Sequence, residues 1–221
     1  VKFLVRRTAP DSTIVNPAKK TISGRLEKLE SAFGPLATIC ERYLRYRSVV
    51  DSIDGTISIG HQPWKGPEAY AVRIFPAAKK SWFGKYSRSR GLKFPVAYKS
   101  ILSSVNGIDA FGLSLYGIPP SMVKDPPLLN RSTLQCLDIS LANRNWKRAF
   151  PGQEARFHFG GRHYDSTQNS GYFWDPGGEI IAVLKTGEVV GSWTDFQLFF
   201  AEELQAAEHY HRSQTPDEWW E

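Results

Sequence analysis

The chain has 221 residues, 41% hydrophobic and 23% charged, which fits one large domain with a sizeable core and excludes wholesale disorder. Its 7 Trp, 9 Tyr and 13 Phe must be buried or must form a sticky surface, and no apolar run approaches the ~20 residues of a membrane helix. The formal charge is +6, but it is uneven: residues 1–90 carry 17 basic and 7 acidic residues, whereas 150–221 carry 4 basic and 12 acidic.

In chain order, Val1–Pro10 has no signal-peptide core, and the absence of an initial Met reads as processing or trimming. Residues 18–33 read as a helix with Ile22, Leu26, Leu29 and Phe33 on one face. Gly34-Pro35 ends it and opens a second helix, striped by Leu36, Ile39, Cys40, Tyr43 and Leu44. Cys40 is expected in the core. Short strands are expected at 56–59 and 69–75. Residues 79–90 read as a basic, aromatic loop. From Pro95 a helix places Tyr98, Ile101, Leu102 and Val105 on one face, with Asn106-Gly107 as its C-terminal stop. A strand follows at 113–118, then a proline-rich loop.

Residues 155–192 read as an antiparallel meander. Gly160-Gly161 is expected to be a two-residue hairpin turn between 156–159 and 162–165, and Asp175-Pro176-Gly177-Gly178 a second turn. Thr194 with Gln197 forms a capping box for a last helix, whose buried face is Phe196, Phe199, Phe200, Leu204 and Ala207. Residues 213–221 read as a tail.

Motifs for catalysis are weak. Gly112-Leu113-Ser114-Leu115-Tyr116 approaches a nucleophile elbow, but Tyr116 stands where the tight turn needs glycine, so Ser114 reads as a strand serine. His158 and His163 flank the expected hairpin turn, with Asp165 the nearest third ligand of a metal-dependent hydrolase. Surface histidines are the simpler reading. Two cysteines, Cys40 and Cys136, cannot build a disulfide framework or a zinc site, and reduced thiols in the cytoplasm are expected. No catalytic residue, metal or cofactor is expected.

Residues 91–207 resemble the SUKH superfamily of Smi/Knr-like domains. The resemblance rests on Gly91 to Gly107, with Phe94-Pro95, Tyr98, Ile101-Leu102 and Asn106-Gly107. It continues in Phe111–Ile118, Gly171–Asp175, Glu179–Leu184 and Ser192–Phe196. It implies an α+β fold: one multistranded antiparallel sheet with helices packed to one side, here with extra N-terminal helices. Residues 1–90 then form a basic extension on the same domain, 91–212 the core and 213–221 the tail.

Many bacterial members are immunity proteins, so the resemblance implies a non-enzymatic module that neutralises a cognate secreted toxin, often a nuclease, as a monomer or homodimer. The acidic C-terminal region is expected to face a basic toxin. Tyr116, Tyr164, Asp165, Trp174 and Asp175 are the candidate contact residues, aromatic anchors beside charges. Charge reversal at Asp165 and Asp175 is expected to slow association. Two alternatives stand beside this reading. One is nucleic-acid binding through Lys80, Trp82, Lys85, Tyr86 and Arg88, with rings for bases and cations for phosphates. The other is a SUKH-type regulatory scaffold.

Overall fold

Apolar spacing in the first described segment produces a small helical layer. The structure is a computed structural model that describes residues 17–52, 54–123, 135–163 and 169–215. Helix α1 (Pro17–Leu26) is followed by a 3-10 turn at Glu27–Leu29 and by α2 (Glu30–Phe33), so the expected single helix is interrupted. Ile22, Leu26 and Phe33 are nevertheless all buried. Gly34 closes α2 at φ +49°, in the left-handed region. Helix α3 (Leu36–Tyr43) buries Leu36, Ile39, Cys40 and Tyr43 as its stripe requires.

Nine strands form one antiparallel sheet, each pairing with the next in sequence. They are β1 (Val49–Val50), β2 (Ile57–His61), β3 (Tyr70–Pro76), β4 (Val105–Ala110), β5 (Leu113–Leu115), β6 (Phe157–Arg162), β7 (Ser170–Trp174), β8 (Ile180–Leu184) and β9 (Val189–Trp193). The fold is α+β. The basic N-terminal region supplies three of these strands, and β3 pairs with β4 through Val72 opposite Ala110. The sheet is therefore continuous from the N-terminal region into the later one.

Alternation along the strands separates two clusters. On β7 and β8, Tyr172, Trp174, Ile180 and Ala182 join the main core, whereas Phe173, Ile181 and Val183 join Phe150 in a smaller cluster. Helix α7 (Phe196–Ser213) roofs the main core with Phe199, Phe200, Leu204 and Ala207, each 0% exposed. Phe200 meets Phe33 edge-on at 5.2 Å, which joins α7 to α2. The segment with helix α6 (Ile139–Arg144) and a 3-10 turn at Trp146–Ala149 leads into Phe150 of the smaller cluster.

Four local expectations are corrected. Residues 80–90 form helix α4 (Lys80–Arg90), not a loop, with Phe83 and Tyr86 turned into the core and Gly91 as its left-handed C-cap. Helix α5 (Val96–Ser104) passes directly into β4, so Asn106-Gly107 lies in a strand. The Asn106 side chain is a tertiary clamp: it donates to Ile118 O at 2.7 Å and accepts from Ile118 N at 2.9 Å. Gly160-Gly161 lies inside the continuous strand β6, not in a turn. A Cβ on Gly160 would stand 2.6 Å from Ser114 O, so glycine there permits close approach of β5. Last, the α7 cap is Asp195, whose carboxylate accepts from Leu198 N at 2.8 Å, while Gln197 donates to Ser31 O.

Candidate functional site: a cationic cleft

The tail of α4 and the start of α5 meet the α6 segment and the β7–β8 turn around a cleft of about 840 Å³. Its floor is apolar: Phe94 and Trp174 are buried, and Phe157 is half-buried. Phe94 packs edge-on against Phe83 at 5.7 Å, and Trp174 stacks on Phe196 at 5.9 Å. These contacts fix the floor to α4 and α7. The walls carry Arg90, Lys93, Arg144, Lys147 and Arg156 against one acid, Asp175.

Asp175 is neutralised locally. Arg156 Nε donates to its Oδ2 at 3.1 Å, and Gly177 N donates to Oδ1 at 2.7 Å. The Gly177 amide, then Arg156, holds this carboxyl below its ordinary range. Arg90, Lys93, Arg144 and Lys147 have no carboxylate partner among the described residues. Lys147 donates instead to the carbonyl of Glu154 at 2.9 Å, and Arg144 lies 3.4 Å from Ser140 O. The first turn of α5 lines the same cleft, and its N-cap, Pro95, supplies no side-chain acceptor. The helix dipole therefore adds positive potential to the side-chain charges.

Of the acidic residues described in 150–221, Glu203 and Glu208 are buried and ion-paired and Asp175 is ion-paired, whereas Glu154, Glu179, Glu188, Asp195 and Glu202 are exposed. Glu203 takes Arg162 Nη1 at 3.0 Å and the Tyr172 hydroxyl. Glu208 takes Arg42 and, at 3.2 Å, Tyr43 Oη. Glu202 accepts from Trp193 Nε1 at 2.7 Å, Glu179 accepts from Ser192, and Asp195 caps α7. Formal charge thus overcounts free acid at Glu203 and Glu208, whose carboxylates are paired within the fold.

Of the expected contact residues, Trp174 and Asp175 belong to the cleft, one as floor and the other as a turn anchor. Tyr116 does not: it is 2% exposed, packed against Trp146 at 5.3 Å and His158 at 5.4 Å, which removes it from any contact surface. Tyr164 and Asp165 lie outside the described residues. The alternative set is split by α4. Lys80, Lys85 and Arg88 are exposed, but Tyr86 is 0% exposed and hydrogen-bonds Asp138, and Trp82 packs on the core. A base-stacking surface is not formed there.

The surface-histidine reading fails for His158, and Asp165, the third residue of the metal reading, lies outside the described residues. His158 is 1% exposed, stacked on Phe173 at 4.5 Å, and burial lowers its pKa to about 4. Among the described residues, no group of three or more His, Cys, Asp or Glu could hold a metal. Ser114 is a buried strand residue opposite Asp109, as expected. Burial pushes the thiols of Cys40 and Cys136 well up. The cleft cations that sequence reasoning missed are Lys93, Arg144, Lys147 and Arg156. For the last three the signal, a short basic span from Arg144 to Arg156, is lost when charge is summed over 91–221, which holds 11 basic and 15 acidic residues.

No family model, curated protein or solved structure matches the chain. No helix among the described residues is long and apolar enough to cross a membrane.

Proposed function

We propose that the chain is a SUKH-like immunity module. It binds a cognate secreted bacterial toxin in the cytoplasm and neutralises it by protein–protein contact, without chemistry of its own. The antiparallel sheet with helices agrees with what the resemblance implies about the fold. The observation that carries the reading is the preformed cleft: five cations around an aromatic floor, mounted on packed sheet and helices. Such a surface presents charge for steering and an apolar centre for affinity, the usual division of labour in a protein interface.

The test is growth rescue. The protein is co-expressed with the toxin domain encoded beside its gene, and with an unrelated toxin as control. Rescue from the cognate toxin alone, with a complex that survives gel filtration, supports the proposal. Continued toxicity at equal protein levels rejects it.

A further inference from the structure

We infer that the cleft receives an acidic, apolar-studded polypeptide segment of the partner; this rests on the binding-module reading above and specifies its occupant. Three observations carry it. The cations converge on a concavity, where low-dielectric walls strengthen their field. The one acid lining the cleft, Asp175, is paired with Arg156, so the cleft's remaining charge, on Arg90, Lys93, Arg144 and Lys147, is positive. Val96, at the lip, is 84% exposed beside Lys93, an apolar foothold next to a cation.

A nucleic acid fits less well. Its phosphates would meet the cations, but its bases would need open ring faces. Phe94 is packed by Phe83, Tyr86 and Phe157, and Trp174 is covered by Phe196. The floor offers apolar contact without a stacking platform. A peptide alternating carboxylates with apolar side chains uses both parts of the cleft: carboxylates on Lys93 and Arg144, apolar groups on Val96 and the aromatic floor. Charge-assisted hydrogen bonds to arginine add geometric selectivity for the carboxylate.

The experiment is fluorescence anisotropy on the whole protein with a short labelled peptide of alternating Glu and Leu. Its controls are a Gln–Leu peptide of equal length and a labelled oligothymidine. The Glu–Leu peptide should bind about tenfold more tightly than the Gln–Leu peptide, and added salt should erode the difference. The double variant Lys93→Glu, Arg144→Glu should lose about tenfold in affinity, and Val96→Ser a few-fold, with circular dichroism unchanged. Lys80→Glu with Arg88→Glu, on α4, should change affinity less than about twofold.

Equal binding of the Glu–Leu peptide by the cleft variant, or no binding at all, overturns the inference. Tighter binding of oligothymidine, lost in the same variant, makes a phosphate polyanion the occupant and overturns it too. Growth rescue by both wild type and the cleft variant would sink this inference and leave the proposed function standing. Failure of wild type to rescue would sink the function itself.

Discussion

Two cationic regions, one on a single helix and one gathered from separate segments, differ in what the fold makes of them. On α4, Lys80, Lys85 and Arg88 project from a convex helix whose rings, Phe83 and Tyr86, point inward. Around the cleft, Arg90, Lys93, Arg144, Lys147 and Arg156 come from separate segments and converge. The first region has the higher local charge density in sequence. The second has the concavity. Charges on a convex, water-exposed surface are screened within about a Debye length, whereas convergent charges over low-dielectric walls reinforce one another. The lesson is that contiguity of charge along a chain is a poor guide to a site, and that elements separated by tens of residues must be placed before the field can be read.

Variants in the shared platform should disturb both regions, and charge variants should separate them. The largest expected effect is Phe200→Ala. This ring is 0% exposed, edge-on to Phe33 and stacked with Phe196, so its loss should cost about 3–5 kcal/mol in chemical denaturation. A cost below ~1 kcal/mol would mean α7 does not hold the platform.

Acid should act next. His158 and His211 are buried, and burial lowers each pKa to about 4, so the native state holds both neutral. Their folded values lie below the unfolded one. The contribution is therefore complete above the unfolded pKa, near 6.5, and is lost as pH falls through that value towards 4. Stability should fall by a few kcal/mol across this window, and His158→Phe should flatten the slope while leaving melting near pH 7 little changed. A slope unchanged by that variant would assign the acid sensitivity to other groups.

Gly160→Ala should be smaller, about 2 kcal/mol, because the added Cβ meets the backbone oxygen of Ser114 and β5 must move. A neutral substitution, measured by thermal melting, would show that β5 and β6 have slack. The smallest stability effect belongs to Lys80→Glu with Arg88→Glu, within about 0.5 kcal/mol, since both are exposed on α4.

The fold was partly legible in the sequence, and the misreadings share a physical cause. Helical stripes such as Leu36–Tyr43 and the Phe199–Phe200–Leu204 face announce themselves because burial follows the 3.6 period. The α+β class was implied by the family resemblance, and the meander of β7, β8 and β9 followed from apolar runs between turn signals. Glycine and asparagine misled. Asn106-Gly107 looks like a helix stop, and Gly160-Gly161 like a hairpin, because those residues favour turns locally. Here they serve tertiary approach instead: Asn106 clamps Ile118, and Gly160 admits Ser114 O. That use is invisible until the neighbouring strand is placed.

The site was less legible than the fold. Trp174 reads evenly as a contact anchor or a core tryptophan, and Asp175 as a contact or a turn residue; the structure makes one the cleft floor and pairs the other with Arg156 and the turn. Tyr116 was misplaced because a strand aromatic followed by Gly reads equally well as surface or core. Its burial depends on Trp146 and His158, which arrive from residues 30 and more further along. Ion pairing across the fold was not legible either. Net charge counts Glu203 and Glu208 as acids, whereas the fold pairs them with Arg162 and Arg42.

Hydrogen exchange on the complex with the proposed toxin partner tests the central claim most directly, because it reads both regions in one sample. Binding at the cleft should slow exchange of amides in 91–98 and 175–179 and leave α4 residues 80–88 unchanged. Protection concentrated on α4, with the cleft amides exchanging as in the free protein, would contradict the account.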